Sequence, residues 1–111
     1  MALPREISVH EFQALRARDD APVSLLLDVR NHDEFQWVRL PGATLIPLPE
    51  LEDRVDELES YKSGPVYVYC HHGIRSLAAA EYLRDLGYDA ASVGGGIDAW
   101  SRLIDPALAR Y

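Results

Sequence analysis

The sequence has little of what secretion, membrane insertion or nucleic-acid binding would require. It contains one cysteine, so no internal disulfide can form and no second thiol can resolve an adduct on the first. Within residues 1–20 the charges Arg5, Glu6, Glu11, Arg16, Arg18, Asp19 and Asp20 leave no apolar run long enough for a signal peptide or a membrane span. A cytoplasmic, non-membrane setting is the expectation. Basic side chains are outnumbered, 11 Lys and Arg against 18 Asp and Glu, for a net charge of −7. That sign argues against a nucleic-acid partner, which needs clustered Lys and Arg to neutralise phosphates. Heptads, internal repeats and low-complexity segments are absent. Gly94-Gly95-Gly96 lacks the G-K-[ST] ending and the wider spacing of a phosphate-binding loop, and reads as close backbone packing.

What is present is the balance of one globular domain over residues 1–111, with 48% hydrophobic and 26% charged residues. Ser8 and Glu11 form a capping box with Ile7 and Phe12 placed as a staple, so a helix starts there, and His10 on its polar side reads as solvated. Val23 to Asp28 is a continuous apolar run ending in an acid, as expected of a strand covered on both faces. Asp33 to Trp37 reads as a helical turn, Pro41-Gly42 as a loop and Ala43 to Ile46 as a strand. Leu51, Val55 and Leu58 form one apolar stripe of a helix whose other face carries Glu50, Glu52, Asp53, Asp56, Glu57 and Glu59, a solvated acidic surface. Pro65 to Tyr69 is a buried strand, and Ser76 to Leu86 a helix with a stripe of Ala79, Tyr82, Leu83 and Leu86, stopped by Gly87. Ala90 to Val93 is a last strand, followed by a short helix anchored by Trp100. Strands alternating with helices predict an α/β fold: a parallel sheet of about five strands with helices on both faces.

Between the Pro65–Tyr69 strand and its helix lies Cys70-His71-His72-Gly73-Ile74-Arg75-Ser76. A turn of this kind points successive N–H groups at one spot, where the following helix presents its partial positive charge, and so makes a cradle for an anion. Helix N-termini and neighbouring cations favour a thiolate over a thiol. Arg75 offers a permanent cation and His71 and His72 conditional ones, while Gly73 allows a positive φ and Ser76 marks the helix start. The arrangement points to nucleophilic sulfur rather than to a small buried hydrophobe. Asp28 and Arg30, at the C-terminal end of their strand, lie where open α/β sheets bind ligands, and are read as a supporting brace.

The spacing C-x-x-G-x-R-S at Cys70 to Ser76 resembles the active-site loop of rhodanese-like sulfurtransferases. Three further stretches agree: Leu27-Asp28-Val29-Arg30 with Glu34-Phe35, Leu40-Pro41-Gly42-Ala43, and Gly95-Gly96-Ile97-Asp98-Ala99-Trp100. The Tyr69 to Gly73 stretch and the ending Ile104-Asp105-Pro106 to Arg110-Tyr111 look most like the rhodanese domains fused behind the adenylating enzymes of molybdopterin and thiamine synthesis. Where the family usually has Gly-His-Ile before its Pro-Gly-Ala, this chain has Val38-Arg39-Leu40, which places Arg39 near the site or in solvent. The resemblance implies the rhodanese sheet, a persulfide carried on Cys70, and a binding loop formed by His71, His72, Gly73, Ile74, Arg75 and Ser76. It also implies chemistry that needs no metal or organic cofactor. The donor would be thiosulfate or a protein persulfide, and the acceptor cyanide, a thiol or a ubiquitin-like sulfur carrier.

Two other classes use related parts. Cysteine phosphatases and arsenate reductases resemble C-x5-R, a loop sized for a tetrahedral oxyanion, whereas Cys70 to Arg75 is C-x4-R. A catalytically silent binding module is the other, against which an intact Cys70 and Arg75 weigh. His71 and His72 are expected to help an anionic donor when protonated, since an unperturbed histidine titrates near pH ~6.5.

Overall fold

The computed structural model describes residues 2–111. Five parallel strands, β1 (Glu6–Ile7), β2 (Leu25–Asp28), β3 (Thr44–Leu45), β4 (Pro65–Tyr69) and β5 (Asp89–Val93), form one sheet in the order β1-β5-β4-β2-β3. Helices α1 (Val9–Ala17), α2 (His32–Trp37), α3 (Leu48–Arg54) and α4 (Ile74–Asp85) lie in the crossovers, and α5 (Gly96–Leu103) follows the last strand. This is the expected α/β architecture. Among the described residues no helix is long and apolar enough to cross a membrane.

Alternation along the strands divides the core in two. Leu25, Leu27, Val66, Val68 and Ala90 point to one face, where α3 and α4 cover them with Leu51, Ala79, Ala80 and Leu83. Leu26, Tyr67, Tyr69, Ala91 and Val93 point to the other, under Val9 and Phe12 of α1 and Ile97 and Ala99 of α5. Phe12 stacks edge-on against Tyr67 and Trp100, with ring centroids 5.2 and 5.5 Å away. The α1 capping box is present: the Glu11 N–H donates to Ser8 Oγ and the Ser8 N–H to the Glu11 carboxylate, each at 3.1 Å.

Several elements differ from the sequence reading. Ile7 belongs to the edge strand β1, which two residues are too short to signal by periodicity. Strand β2 begins at Leu25, leaving Val23 84% exposed. In the register that pairs Leu25 with Val66, Val23 faces the Gly64-Pro65 corner, where proline has no N–H to extend the ladder. The strand expected over Ala43 to Ile46 is Thr44–Leu45 only. The acidic helix is two pieces, α3 and a 3-10 segment over Val55–Tyr61, which between them bury Leu51 and Leu58. Leu86 lies past the end of α4 and is largely exposed, so the buried stripe there is Ala79, Ala80 and Leu83.

Strand order also fixes where a site can form. From β2 the chain continues outward to β3, and from β4 it continues the other way to β5. The connections therefore diverge between the carboxyl ends of β2 and β4, where open α/β sheets hold their ligands.

Candidate active site

Cys70 is the first residue beyond β4 and is almost wholly buried. Because Val66 and Val68 face α4, the period-2 alternation carries the Cys70 side chain to the same side. There the Gly73 N–H reaches its sulfur at 3.1 Å and the Ser76 N–H at 3.4 Å. The Ser76 hydroxyl is also 3.4 Å from the sulfur, and behind it Ser92 Oγ lies 2.7 Å from Ser76 Oγ. When the sulfur is a thiolate, both N–H groups and the hydroxyl can donate to it, and the second serine polarises the first. The start of α4 adds its partial positive charge. Gly73 is the N-cap of that helix, with φ +105°, so Ser76 is a ligand of the sulfur inside the first turn rather than the cap.

A second helix end shapes the loop from outside. The N–H groups of Ile97 and Asp98, at the start of α5, donate to the carbonyls of Cys70 and His71 at 2.9 and 3.1 Å. With those carbonyls turned outward, the loop's own N–H groups are free to face the sulfur. The approach is close enough to require Gly96, since a Cβ there would collide with both carbonyl oxygens. This is the close backbone packing read from the glycine run.

Asp28 and Arg30 are both fully buried and paired, Arg30 Nη2 lying 2.7 Å from Asp28 Oδ2. Arg30 also donates to the Val38 carbonyl at 2.6 Å and to the Tyr111 hydroxyl at 2.8 Å. Four of its five N–H donors thus go to protein groups. Arg75, expected as the permanent cation of the loop, is ion-paired. Its fork grips the carboxylate of Glu34 at 2.7 and 3.1 Å, leaving its side chain one third exposed (33%). Arg39 is exposed and lies over the Phe35 ring, away from the sulfur.

Glu34 is the centre of a network the sequence reading left out of the site. Its carboxylate accepts from both ends of the Arg75 fork, from the Asn31 N–H at 3.0 Å and from the Tyr111 hydroxyl at 2.6 Å. Arg75 above all, then Asn31 and Tyr111, outweigh burial and hold this carboxyl down at about 2. Burial first, and then the bond to Glu34, push the Tyr111 phenol up to about 12, so it stays a donor. Glu34 could have been suspected from its place in the D-V-R-x-x-x-E segment. Tyr111 falls in the ending that carries part of the resemblance, but nothing local points to its partner Arg30, 81 residues away, and Ser92 gives only a polar residue in an apolar strand.

A depressed carboxyl contributes stability that is present above its ordinary value near 4.5 and lost as pH falls toward about 2. Glu34→Gln is accordingly expected to cost about 2 kcal/mol at pH 7, the full shift being discounted for the partial exposure of Arg75. The gap between wild type and variant should close as denaturant melts are repeated from pH 6 down to 2.5. A gap independent of pH would mean that the charge of Glu34 contributes nothing.

His71 is held between neighbours: its ring stacks on Tyr111 and on His72, both at 3.9 Å between centroids, and Nε2 bonds the Tyr111 main-chain oxygen at 2.8 Å. His72 is mostly exposed and lies 4.0 Å from Asp98. His71, His72 and Asp98 bring one potential metal ligand each within 4.8 Å of one another. The two imidazole planes are 20° apart, so their in-plane lone pairs run side by side rather than converging, and Asp98 already accepts from Arg102 and Arg110. The trio is a stacked pair of rings beside a carboxylate engaged elsewhere, not a preorganised metal centre.

The family model described as a Rhodanese-like domain matches residues 8–103. The chain belongs to the rhodanese-like family. The adenylyltransferase and sulfurtransferase MOCS3 of Arabidopsis thaliana is 35% identical over 98% of this chain and 27% of its own length. This rhodanese-like chain thus spans about a quarter of such curated relatives. A rhodanese-like domain protein from Staphylococcus aureus superposes with TM-score 0.78 at 29% identity, covering 97% of this chain and 99% of that one. The human single-domain sulfurtransferase TSTD1 gives 0.74 at 26% identity over 91% and 98%. The domain is thereby related to sulfurtransferases and to proteins of sulfur relay.

Proposed function

We propose that this rhodanese-like protein is a sulfurtransferase in which Cys70 carries sulfane sulfur as a persulfide. The observation that carries the reading is the placement of the Cys70 sulfur under two N–H groups and a hydroxyl at the start of α4. The thiolate attacks the outer sulfur of the donor; a new S–S bond forms as the donor's S–S bond breaks, and sulfite leaves when the donor is thiosulfate. The persulfide's terminal anion then occupies the cradle. An acceptor nucleophile takes that sulfur, the Cys70–S bond breaks, and the thiolate is regenerated for the next donor. His71, His72 and Ile74 border the loop, Gly73 and Ser76 bind the sulfur, and Arg75, Asp28 and Arg30 keep the walls in place.

Neither half-reaction calls on a metal or an organic cofactor. The acceptor is cyanide in the test tube, and a thiol or a ubiquitin-like sulfur carrier is the natural counterpart, consistent with the sulfur-relay relatives. A reducing, cytoplasmic compartment would suit a lone reactive thiol.

The experiment is intact-mass analysis after brief exposure to thiosulfate, then after cyanide. A gain of one sulfur atom on Cys70, removed by cyanide, is the expected result. No gain with thiosulfate or with a small persulfide donor would reject the proposal. Rapid hydrolysis of an aryl phosphate would transfer the site to the phosphatase class.

A further inference from the structure

We infer that Tyr111 is a positioning residue for the loop, setting the charge that an anion meets on approaching Cys70. Three observations converge on it. Its hydroxyl stands between two opposed groups, accepting from Arg30 at 2.8 Å and donating to Glu34 at 2.6 Å. Its ring stacks on His71 on one side and tilts against Trp37 on the other, at 3.9 and 5.6 Å between centroids. Its main-chain oxygen holds His71 Nε2 at 2.8 Å. One residue thus touches His71 directly and Arg75 through Glu34, two of the three groups of the loop able to offer positive charge.

The segment that delivers Tyr111 is itself fastened. Ser101 Oγ donates to the Leu108 carbonyl at 2.6 Å, and Arg110 Nε lies 3.2 Å from Asp98 Oδ1. Leu108 and Tyr111 pack against the core on the α1 and α5 side. A tail laid across the surface without regular structure is fixed at three successive points ending at the loop.

The electrostatic consequence follows from what Glu34 would do without that hydroxyl. Arg75 spends one N–H from each terminal nitrogen on Glu34, and an arginine has five N–H donors. The remaining ones can serve an anion at the loop only while the pair is locked. The negative charge of Glu34 is shared among Arg75, the Asn31 N–H and the Tyr111 hydroxyl. Removing the hydroxyl takes away one donor, leaves the carboxylate less quenched and loosens the fork, and both changes make the approach less favourable to anions. Cys70 acts electrostatically on Arg75 as well, so the two groups lie within reach of one another's charge.

The inference uses the assignment of Cys70 as the reactive group, and its test needs a nucleophilic thiol but no sulfur transfer, so the two can fail separately. Cys70 is the only thiol. Alkylation rates are measured by intact mass at one pH for iodoacetate, an anion, and iodoacetamide, its neutral counterpart; in each case a C–S bond forms and iodide leaves. The quantity read is the ratio of the two rates. Tyr111→Phe keeps the ring stacks and the main-chain bond to His71 and should lower the ratio roughly 3-fold, with Tyr111→Ala lowering it roughly 10-fold. The rate with iodoacetamide should hardly change in Tyr111→Phe. In an Arg75→Ala background the part of the fall that runs through the fork is gone, so Tyr111→Phe should have a smaller effect. A ratio unmoved by Tyr111→Phe in a protein with native near-UV dichroism overturns the inference, as does an undiminished fall in the Arg75→Ala background. A Cys70 inert to both reagents overturns it too, because no anion then reaches the sulfur past Tyr111.

Discussion

Cys70→Ser is expected to abolish sulfur transfer to cyanide while leaving the fold intact. Serine fits the space, since its hydroxyl is smaller than the thiol it replaces and the Gly73 and Ser76 N–H groups can donate to either. The chemistry does not survive the change. A serine hydroxyl here would meet a hydroxyl rather than a base: the side-chain partner of Cys70 is Ser76, whose own partner is another hydroxyl, Ser92. An oxygen nucleophile would also have to attack sulfane sulfur and later leave from the product, where a thiolate of low basicity does both. The expected loss is complete within detection, at least about 10³-fold, because the step has no second route. The measurement is thiocyanate formation from thiosulfate and cyanide, with a thermal melt alongside. A variant that melts normally and turns over normally would remove Cys70 from the reaction.

Gly96→Ala is expected to be nearly as damaging, though Gly96 contributes no functional group. Its φ of +60° is costly for an L-residue, and an added methyl would be driven into the carbonyls of Cys70 and His71. Those carbonyls are accepting the first N–H groups of α5. The chain can relieve the clash only by moving α5 away from the loop, which gives up the two bonds and turns the carbonyls back toward the sulfur. Backbone strain together with the lost bonds amounts to about 3 kcal/mol, and a misplaced cradle should reduce kcat/KM for thiosulfate by roughly 100-fold. Gly87→Ala makes the control. It also has a positive φ, +95°, but no atom lies near its absent Cβ, so it should lose stability and keep its activity. If Gly96→Ala and Gly87→Ala behaved alike, the close approach at Gly96 would be irrelevant to the site.

How far the molecule could be read from its sequence depends on the range of the interactions involved. The Cys70 loop was legible because its parts are contiguous: a buried strand, a glycine at the turn and the start of a helix fall within ten residues. Helix α1 was legible from its own capping box. The Glu34 and Tyr111 network was not, because a carboxylate in α2 and a phenol beyond α5 meet only after the sheet is assembled. The partner of Arg75 was hidden for the same reason. Local sequence shows a cation beside the cysteine, and nothing local shows that Glu34, 41 residues earlier, claims its fork. Strand β1 escaped because its two residues pair with β5 through register alone. Asp28 and Arg30 were visible as a pair, yet the Val38 carbonyl and the Tyr111 hydroxyl that complete the brace were not.

The bonds from α5 to the loop carbonyls tie the order of the loop to an element more than twenty residues downstream. Fraying of the first turn of α5 and loosening of the Cys70 loop become one event, because neither can release its hydrogen bonds while the other stays docked. The loop and α5 therefore constitute a single cooperative opening unit, whose free energy belongs to helix docking rather than to a surface turn. Substitutions on the outer face of α5, distant from the sulfur, can thereby tune how often the cradle comes apart.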